Sequence, residues 1–253
     1  MSDVKTTIGT PTSDTERMRM RGKDTLTEIV GERTFSETFF FIVTSRMPST
    51  AELKCFDACL NILMDHGITP NALVARLAHD SAPEDIQVAM ASALLMVGNK
   101  FAGTMVGAGR LLAAGMAAGG DPREWAAETV AQHRASKRRI PGFGHPYYYP
   151  DDPRAARLFQ IAEDAGLECK HIDLIKILGE EIDKASGKHL TLNVTGAMGA
   201  VLSEIGFPAA LMRSVAVIGR AAGLVAHIYE ESRNPIVPEV VNLVNSIPYE
   251  DPA

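Results

Sequence analysis

Seven histidines are the chain's candidates for proton chemistry near neutral pH, and two of them stand where a side chain can be turned into a cleft. His66 lies in LMDHGITP, where a helical pattern stops and Gly67 permits a turn. His145 lies in RRIPGFGHPYYYPDDPR, where Pro141, Gly142, Gly144 and Pro146 crowd round it and rule out a helix. His79, His133, His171 and His189 fall on polar helix surfaces or ends and read as solvated groups. His227 follows an apolar helical run and reads as a packed, hydrogen-bonded ring.

Arginines supply the second half of the chemistry. Arg154 follows Asp-Pro after the His145 loop, and Arg220 interrupts the small, apolar run VIGRAAG. A guanidinium on an apolar helix face needs an anion, either an internal carboxylate or a carboxylate ligand matched to its planar fork. Arg233, in EESRNP, reads by itself as a solvated charge, and so does the triplet Lys137, Arg138 and Arg139. Cys55, Cys59 and Cys169 are too few and odd in number for a disulfide scaffold and read as buried, inert thiols. Cys55 and Cys59 share a helical face, but only His66 lies near enough to extend a metal set, so no metal site is expected.

The elements that must position these groups are helical. Leu53, Phe56, Leu60 and Leu63 recur at three and four. So do Ile86, Met90, Ala93, Leu94 and Val97, then Ile172, Ile175, Leu178 and Ile182, and finally Leu211, Val215, Ile218, Ala222 and Val225. Ser49-Thr50, Ser81-Ala82-Pro83-Glu84 and Asp121-Pro122 read as helix starts. HLTLNVTG alternates like a short strand or an extended link. The expected fold class is all-α and multi-helical. Residues 1–22 are expected as a flexible tail and 23–253 as one domain with a small lobe near 103–205. In GNKFAGTMVGAGRLLAAG, Gly103, Gly107 and Ala108 give a helix a smooth face that another backbone can approach. A phosphate loop is excluded there, because no strand precedes it and no Gly-Lys-Ser/Thr follows.

A net charge of −6 argues against nucleic acid as a partner. No run approaches the roughly 20 unbroken apolar residues of a membrane span, and the polar first residues do not read as a signal peptide. The expected location is the cytoplasm, with no membrane partner.

These residues together carry a family resemblance. PGFGHPYYYPDDPRAARL resembles the histidine loop of citrate synthases, Gly-(Phe/Tyr)-Gly-His followed by Asp-Pro-Arg. Asp65-His66-Gly67 resembles the family's other substrate histidine. LNVTGAMGAVLSEIGFP and VIGRAAGLVAHIYEE resemble its C-terminal segments. Where citrate synthases have His-Gly-Gly, this chain has GNKFAG, placing Phe101 at the histidine position. That version is similar to Gly-Asp-Arg-Phe-Gly-Gly of citryl-CoA lyases and of the C-terminal part of ATP citrate lyase.

The resemblance implies a fold with a large helical domain and a small helical lobe. It also implies carbon–carbon lyase activity on citryl-CoA or a related branched 3-hydroxyacyl-CoA, releasing acetyl-CoA or another acyl-CoA and a keto acid such as oxaloacetate. His66, Arg154 and Arg220 would bind the keto-acid portion, with Arg233 supplied by the partner of a homodimer that shares its active site. Phe101 and Asn193 would also face substrate. His145 would act on the substrate oxygen. Pro141, Gly142, Phe143 and Gly144 would lie along CoA, with Lys137, Arg138 and Arg139 at its phosphates. CoA enters as part of the substrate, and no tightly bound cofactor is implied. Two departures stand out. The family's catalytic Asn-Val-Asp reads Asn193-Val194-Thr195, leaving Asp65 or a water held by Thr195 to handle the acyl-carbon proton. Pro146 replaces a frequent arginine. The alternatives are a condensing synthase, a non-catalytic CoA-thioester binder and a plain helical scaffold.

Overall fold

Apolar residues spaced at three and four become the buried faces of helices. Ile172, Ile175, Leu178 and Ile182 are each 5% exposed or less and line one side of a single helix. The computed structural model describes residues 4–252, with residues 99–102 described by backbone alone. The Phe101 side chain therefore lies outside the described residues.

The described chain is all-α. Its helices are α1 (Phe35–Thr44), α2 (Thr50–Ile62), α3 (Pro70–Ser81), α4 (Ile86–Leu95), α5 (Asn99–Ala118), α6 (Pro122–Ala135), α7 (Pro153–Asp164), α8 (Lys170–Ser186), α9 (Val194–Glu204), α10 (Met212–Glu231) and α11 (Val237–Asn245). Two compact units divide it, one from Met1–Ala58 and Met105–Met212, the other from Cys59–Thr104 and Arg213–Ala253. The lobe expected near 103–205 thus falls in a unit that also takes in residues 1–58.

In the first unit α6 packs on α8, and both α7 and α8 pack on α9. Ala126 and Val130 of α6 meet Leu178 and Ile182 of α8, with Trp125 and Phe143 at the margin. Phe39, Phe40, Phe56 and Phe207 form a second aromatic core. Ser49 starts α2 as expected, its hydroxyl accepting from the Glu52 amide while Glu52 accepts from the Ser49 amide. Asp121 caps α6. Residues 189–193 of HLTLNVTG are an extended link, bridged once to the histidine loop by Phe143 and Leu192, and Val194 to Gly196 open α9. Part of the expected tail is tied down. Arg19–Met20 (β1) and Lys23–Asp24 (β2) form a hairpin through Arg21 and Gly22, both at positive φ, and Arg21 Nε donates to the Ile42 carbonyl at 2.9 Å.

In the second unit α3 and α4 pack alanine against alanine. Ala72, Ala75, Ala89 and Ala93 are fully buried and meet Leu224 and Ile228 of α10. Two expectations change here. Ser81 ends α3 rather than opening α4, which starts at Ile86 after a turn through Pro83. Ile86 is 49% exposed, because only methyl groups fit where the two backbones approach so closely. On α10 only Val215 of the predicted apolar face is buried. Leu211, just before the helix, and Ile218, Ala222 and Val225 are exposed, while Ala216, Arg220, Leu224 and His227 are buried beside Val215. By length and composition Ala209–Glu231 could cross a membrane, yet it carries the buried Arg220 and His227, the latter with Nε2 2.8 Å from Asp65.

Candidate active site

The histidine loop is seated on the start of α9 by glycine. Gly142 is buried with φ +92°, and a Cβ there would lie 2.7 Å from the Cα of Gly196. Gly196 meets Gly142 in return, so the two backbones touch. Pro141 rests on Gly107 of α5, which is how the smooth face of that helix is used. Backbone bonds complete the seat. The Asn193 amide donates to the Gly142 carbonyl at 2.9 Å and the Gly144 amide to the Thr191 carbonyl at 2.7 Å.

This seat orients His145. The amides of Tyr147 and Tyr148 donate to Nδ1 at 3.1 and 3.0 Å. A ring nitrogen that accepts two N–H groups carries no proton, so the neutral ring holds its hydrogen on Nε2. Arg154 Nη2 lies 3.4 Å from Nε2. The Arg154 guanidinium also covers the Tyr148 ring at 4.4 Å and is gripped by Asp152, whose carboxylate accepts from Nε at 2.9 Å and Nη2 at 2.8 Å. The same carboxylate accepts from the Val194 amide at 2.9 Å, tying α7 to α9. Burial opposes ionisation of Asp152, but Arg154 and the Val194 amide outweigh it and hold the carboxyl below its usual range. Sequence reasoning missed Asp152. Its signal was an aspartate before proline at a helix start, with an arginine two residues on.

Asn193 and Thr195 meet here as well. Asn193 Oδ1 accepts from the Gly196 amide at 3.0 Å and the Thr195 hydroxyl at 2.7 Å, while Nδ2 donates to the Gly144 carbonyl at 2.9 Å. Asn193, expected at the substrate, thus has both ends of its amide engaged in bracing the loop. The Phe143 ring turns into the α6–α8 core beside Gly179, so it is the backbone of 141–144 that is left for the contact with CoA that the resemblance implies. Arg138 and Arg139 are exposed after α6, and Arg138 Nε donates to Ser136 Oγ at 3.0 Å.

His66, Asp65 and Arg220 belong to the second unit and have their own setting. Gly219 and Gly223 of α10 admit the carbonyls of Leu60 and Met64, since a Cβ at Gly223 would sit 1.9 Å from the latter. The turn bearing His66 is thereby laid against α10. Asp65 Oδ2 accepts from the Gly67 amide at 2.9 Å, and Oδ1 accepts from His227 Nε2 at 2.8 Å. The Gly67 amide, more than the opposing burial, and then His227, hold Asp65 below its usual range. So held, Asp65 is a poor proton donor at neutral pH. Arg220 is 3% exposed, and burial lowers its affinity for a proton while the charge on Asp65 opposes that fall. Arg233 lies just beyond α10, exposed, with its guanidinium 4.7 Å above the Tyr229 ring. Cys55, Cys59 and Cys169 are buried, and burial pushes the Cys55 thiol up to about 11. Among the described residues no group of three potential ligands is placed to hold a metal.

The all-α fold thus carries a glycine-seated histidine loop whose His145 stands beside the carboxylate-paired Arg154. The family described as citrate synthase, C-terminal domain, matches residues 10–238. The chain belongs to the citrate synthase family. It is similar to citryl-CoA lyase from Hydrogenobacter thermophilus at 30% identity and TM-score 0.88, covering 100% of this chain and 96% of that one. It shares its fold with ATP citrate lyase of Methanosaeta concilii, solved with (3S)-citryl-CoA, at 20% identity and TM-score 0.78, covering 100% of this chain and 42% of that one. The citrate synthase of a Synechocystis species is 28% identical over 78% of this chain and 49% of its own length. The chain spans about half the length of the curated citrate synthases it matches.

Proposed function

We propose that this protein is a carbon–carbon lyase that cleaves citryl-CoA, or a related branched 3-hydroxyacyl-CoA, to an acyl-CoA and a keto acid. The observation that carries the reading is the end-to-end likeness to a citryl-CoA lyase, set against synthases matched over about half their length. In such a cleavage the substrate hydroxyl gives up its proton to a water. The electrons of the carbon–carbon bond pass to the acyl carbon as the thioester enolate, and water returns a proton to that carbon, so that none is gained or lost overall. His145 was expected to take the hydroxyl proton. Its geometry supports a different part, because the neutral ring offers Nε2–H and so donates to the substrate oxygen. Nε2–H and the neighbouring Arg154 guanidinium then stabilise the charge that grows on that oxygen as its proton departs. His66 and Arg220 serve the keto-acid carboxylates, for which a buried guanidinium is suited. Lys137, Arg138 and Arg139 serve the CoA phosphates. The exposed stripe of Ile218, Val225 and Tyr229 on α10 favours a homodimer, with Arg233 at its edge.

The test is product analysis with citryl-CoA and a panel of branched 3-hydroxyacyl-CoAs. Acetyl-CoA plus oxaloacetate, reduced at least about a hundredfold by His145→Ala, is the expected result. Cleavage of another panel member alone changes the substrate but keeps the class. Tight binding of the thioesters without turnover would replace the lyase reading with that of a CoA-thioester binder. The Thr195 hydroxyl, turned to Asn193 where the resemblance expects a carboxylate, is the observation favouring that second reading.

A further inference from the structure

A chain of side chains in the second unit runs from the His66 turn into the core. Asp65 accepts from His227 Nε2 at 2.8 Å. The other ring nitrogen, Nδ1, lies 3.4 Å from Arg76 Nε and 3.2 Å from Arg76 Nη2. Arg76 is 1% exposed and donates from Nη1 to Glu231 Oε2 at 3.0 Å, with Glu230 paired to its Nη2. Glu231, itself 4% exposed, accepts at Oε1 from the amides of Ile236 at 2.9 Å and Val237 at 3.0 Å, where α11 begins. Burial opposes the Glu231 charge, but the Val237 amide and Arg76 overcome it and keep the carboxyl below its usual range.

The ionised Asp65 carboxylate can only accept, so the His227 hydrogen lies on Nε2, aimed at Asp65 at 2.8 Å, and Nδ1 is left to accept from Arg76. Nothing in this chain of contacts touches the proposed substrate groups except at its end, the residue beside His66. A buried guanidinium shared between a histidine and two glutamates is a costly arrangement for stability alone, because well-packed apolar residues serve that purpose as well. The geometry points to Arg76 and His227 as positioning residues. Arg76 fixes the tautomer of His227, His227 fixes the rotamer of Asp65, and Asp65 fixes the turn that presents His66. The assignment rests on the reading of His66 as a substrate-binding histidine, but the arrangement itself is testable without that reading.

The experiment is the ring-nitrogen spectrum of the full chain labelled with 15N-histidine, taken on the native protein, His227→Leu, His227→Gln and Arg76→Met, each followed by kinetics with citryl-CoA. The native His227 ring is expected as the neutral Nε2–H form, and the His66 ring signals are expected to move in His227→Leu and Arg76→Met. Glutamine can keep a donor toward Asp65, so His227→Gln is expected to restore most of the native His66 signal. The kinetic counterpart is a rise in KM of about tenfold in His227→Leu with kcat much less affected, recovered in His227→Gln. A native His227 protonated on Nδ1, His66 signals indifferent to His227→Leu, or no recovery with glutamine would each overturn the proposal. If the variants do not fold, the native spectrum alone still decides the tautomer. If the native protein cleaves nothing, the lyase reading falls while the spectra still decide the relay.

Discussion

The two histidine-bearing turns are seated alike and oriented differently. Each lies against a helix that has given up side chains, Gly196 of α9 for the His145 loop and Gly219 and Gly223 of α10 for the His66 turn. From there they diverge. His145 is held by main-chain amides of its own loop. The His66 turn is held through Asp65 by side chains from two other helices, His227 and Arg76. Amide donors cannot be titrated or lost by substitution of their own side chains, so the first arrangement resists side-chain change. The second depends on the charge of buried groups and fails when one partner is removed. A histidine whose tautomer must not vary is served by the backbone. A carboxylate that must keep one orientation is served by a local amide, Gly67, together with a side-chain relay.

The largest expected effect tests the shared seat. Gly223→Ala or Gly142→Ala forces apart two backbones in contact, and Gly142 adds a side chain at positive φ. In urea denaturation Gly142→Ala should lower unfolding free energy by about 4 kcal/mol, from ~1–3 for overpacking and ~1–2 more for the left-handed conformation, and Gly223→Ala by about 3 kcal/mol from overpacking alone. A drop well below 1 kcal/mol at either position would show that the seats differ after all.

Next in size is the difference between the turns. Arg76→Met leaves Glu231 buried beside a histidine and should cost about 3 kcal/mol by the same measurement, since removing one partner strands the other. Tyr148→Phe, which keeps the amide that holds His145, should cost much less than that. Equal losses from the two would erase the contrast between backbone and side-chain control.

The smallest effect concerns a half-exposed side-chain pairing at the edge of the first loop. His189 pairs with Asp183 at 2.6 Å and with Asp151 of the loop at 3.3 Å. The bond to Asp183 outweighs the opposing desolvation and, with lesser help from Asp151, raises its pKa above 6.5. A group whose folded pKa is raised adds stability that is complete below its unfolded value and disappears as pH rises through the folded one. Thermal unfolding midpoints should therefore fall by on the order of 1 °C more in the native chain than in His189→Gln as pH rises from 6 to 8, the pairs being solvent-screened. Parallel curves would remove His189 from the loop's support.

Much of this was legible in the chain because it is local. The spacing of Ile172, Ile175, Leu178 and Ile182 determined the buried side of α8. Ser49 with Glu52, and Asp121 before Pro122, determined where α2 and α6 begin. The composition of the His145 loop determined that it is a turn on which a histidine is displayed. The lean toward a packed His227 was also a local reading, and the ring is 8% exposed.

What the tertiary structure alone decided involves partners distant in sequence. α10 is apolar on two sides, so periodicity could not say whether Ile218 or Leu224 faces inward; the approach of the Leu60 and Met64 carbonyls to Gly219 and Gly223 settles it. Arg76 looked like any helical arginine, although it stands on the same stripe as the buried alanines Ala72 and Ala75, and its partners lie over 150 positions away. The tautomer of His145 follows from amide directions, which no residue type encodes. Local spacing sets which residues form an element, whereas burial and proton placement depend on which other elements come to rest against it.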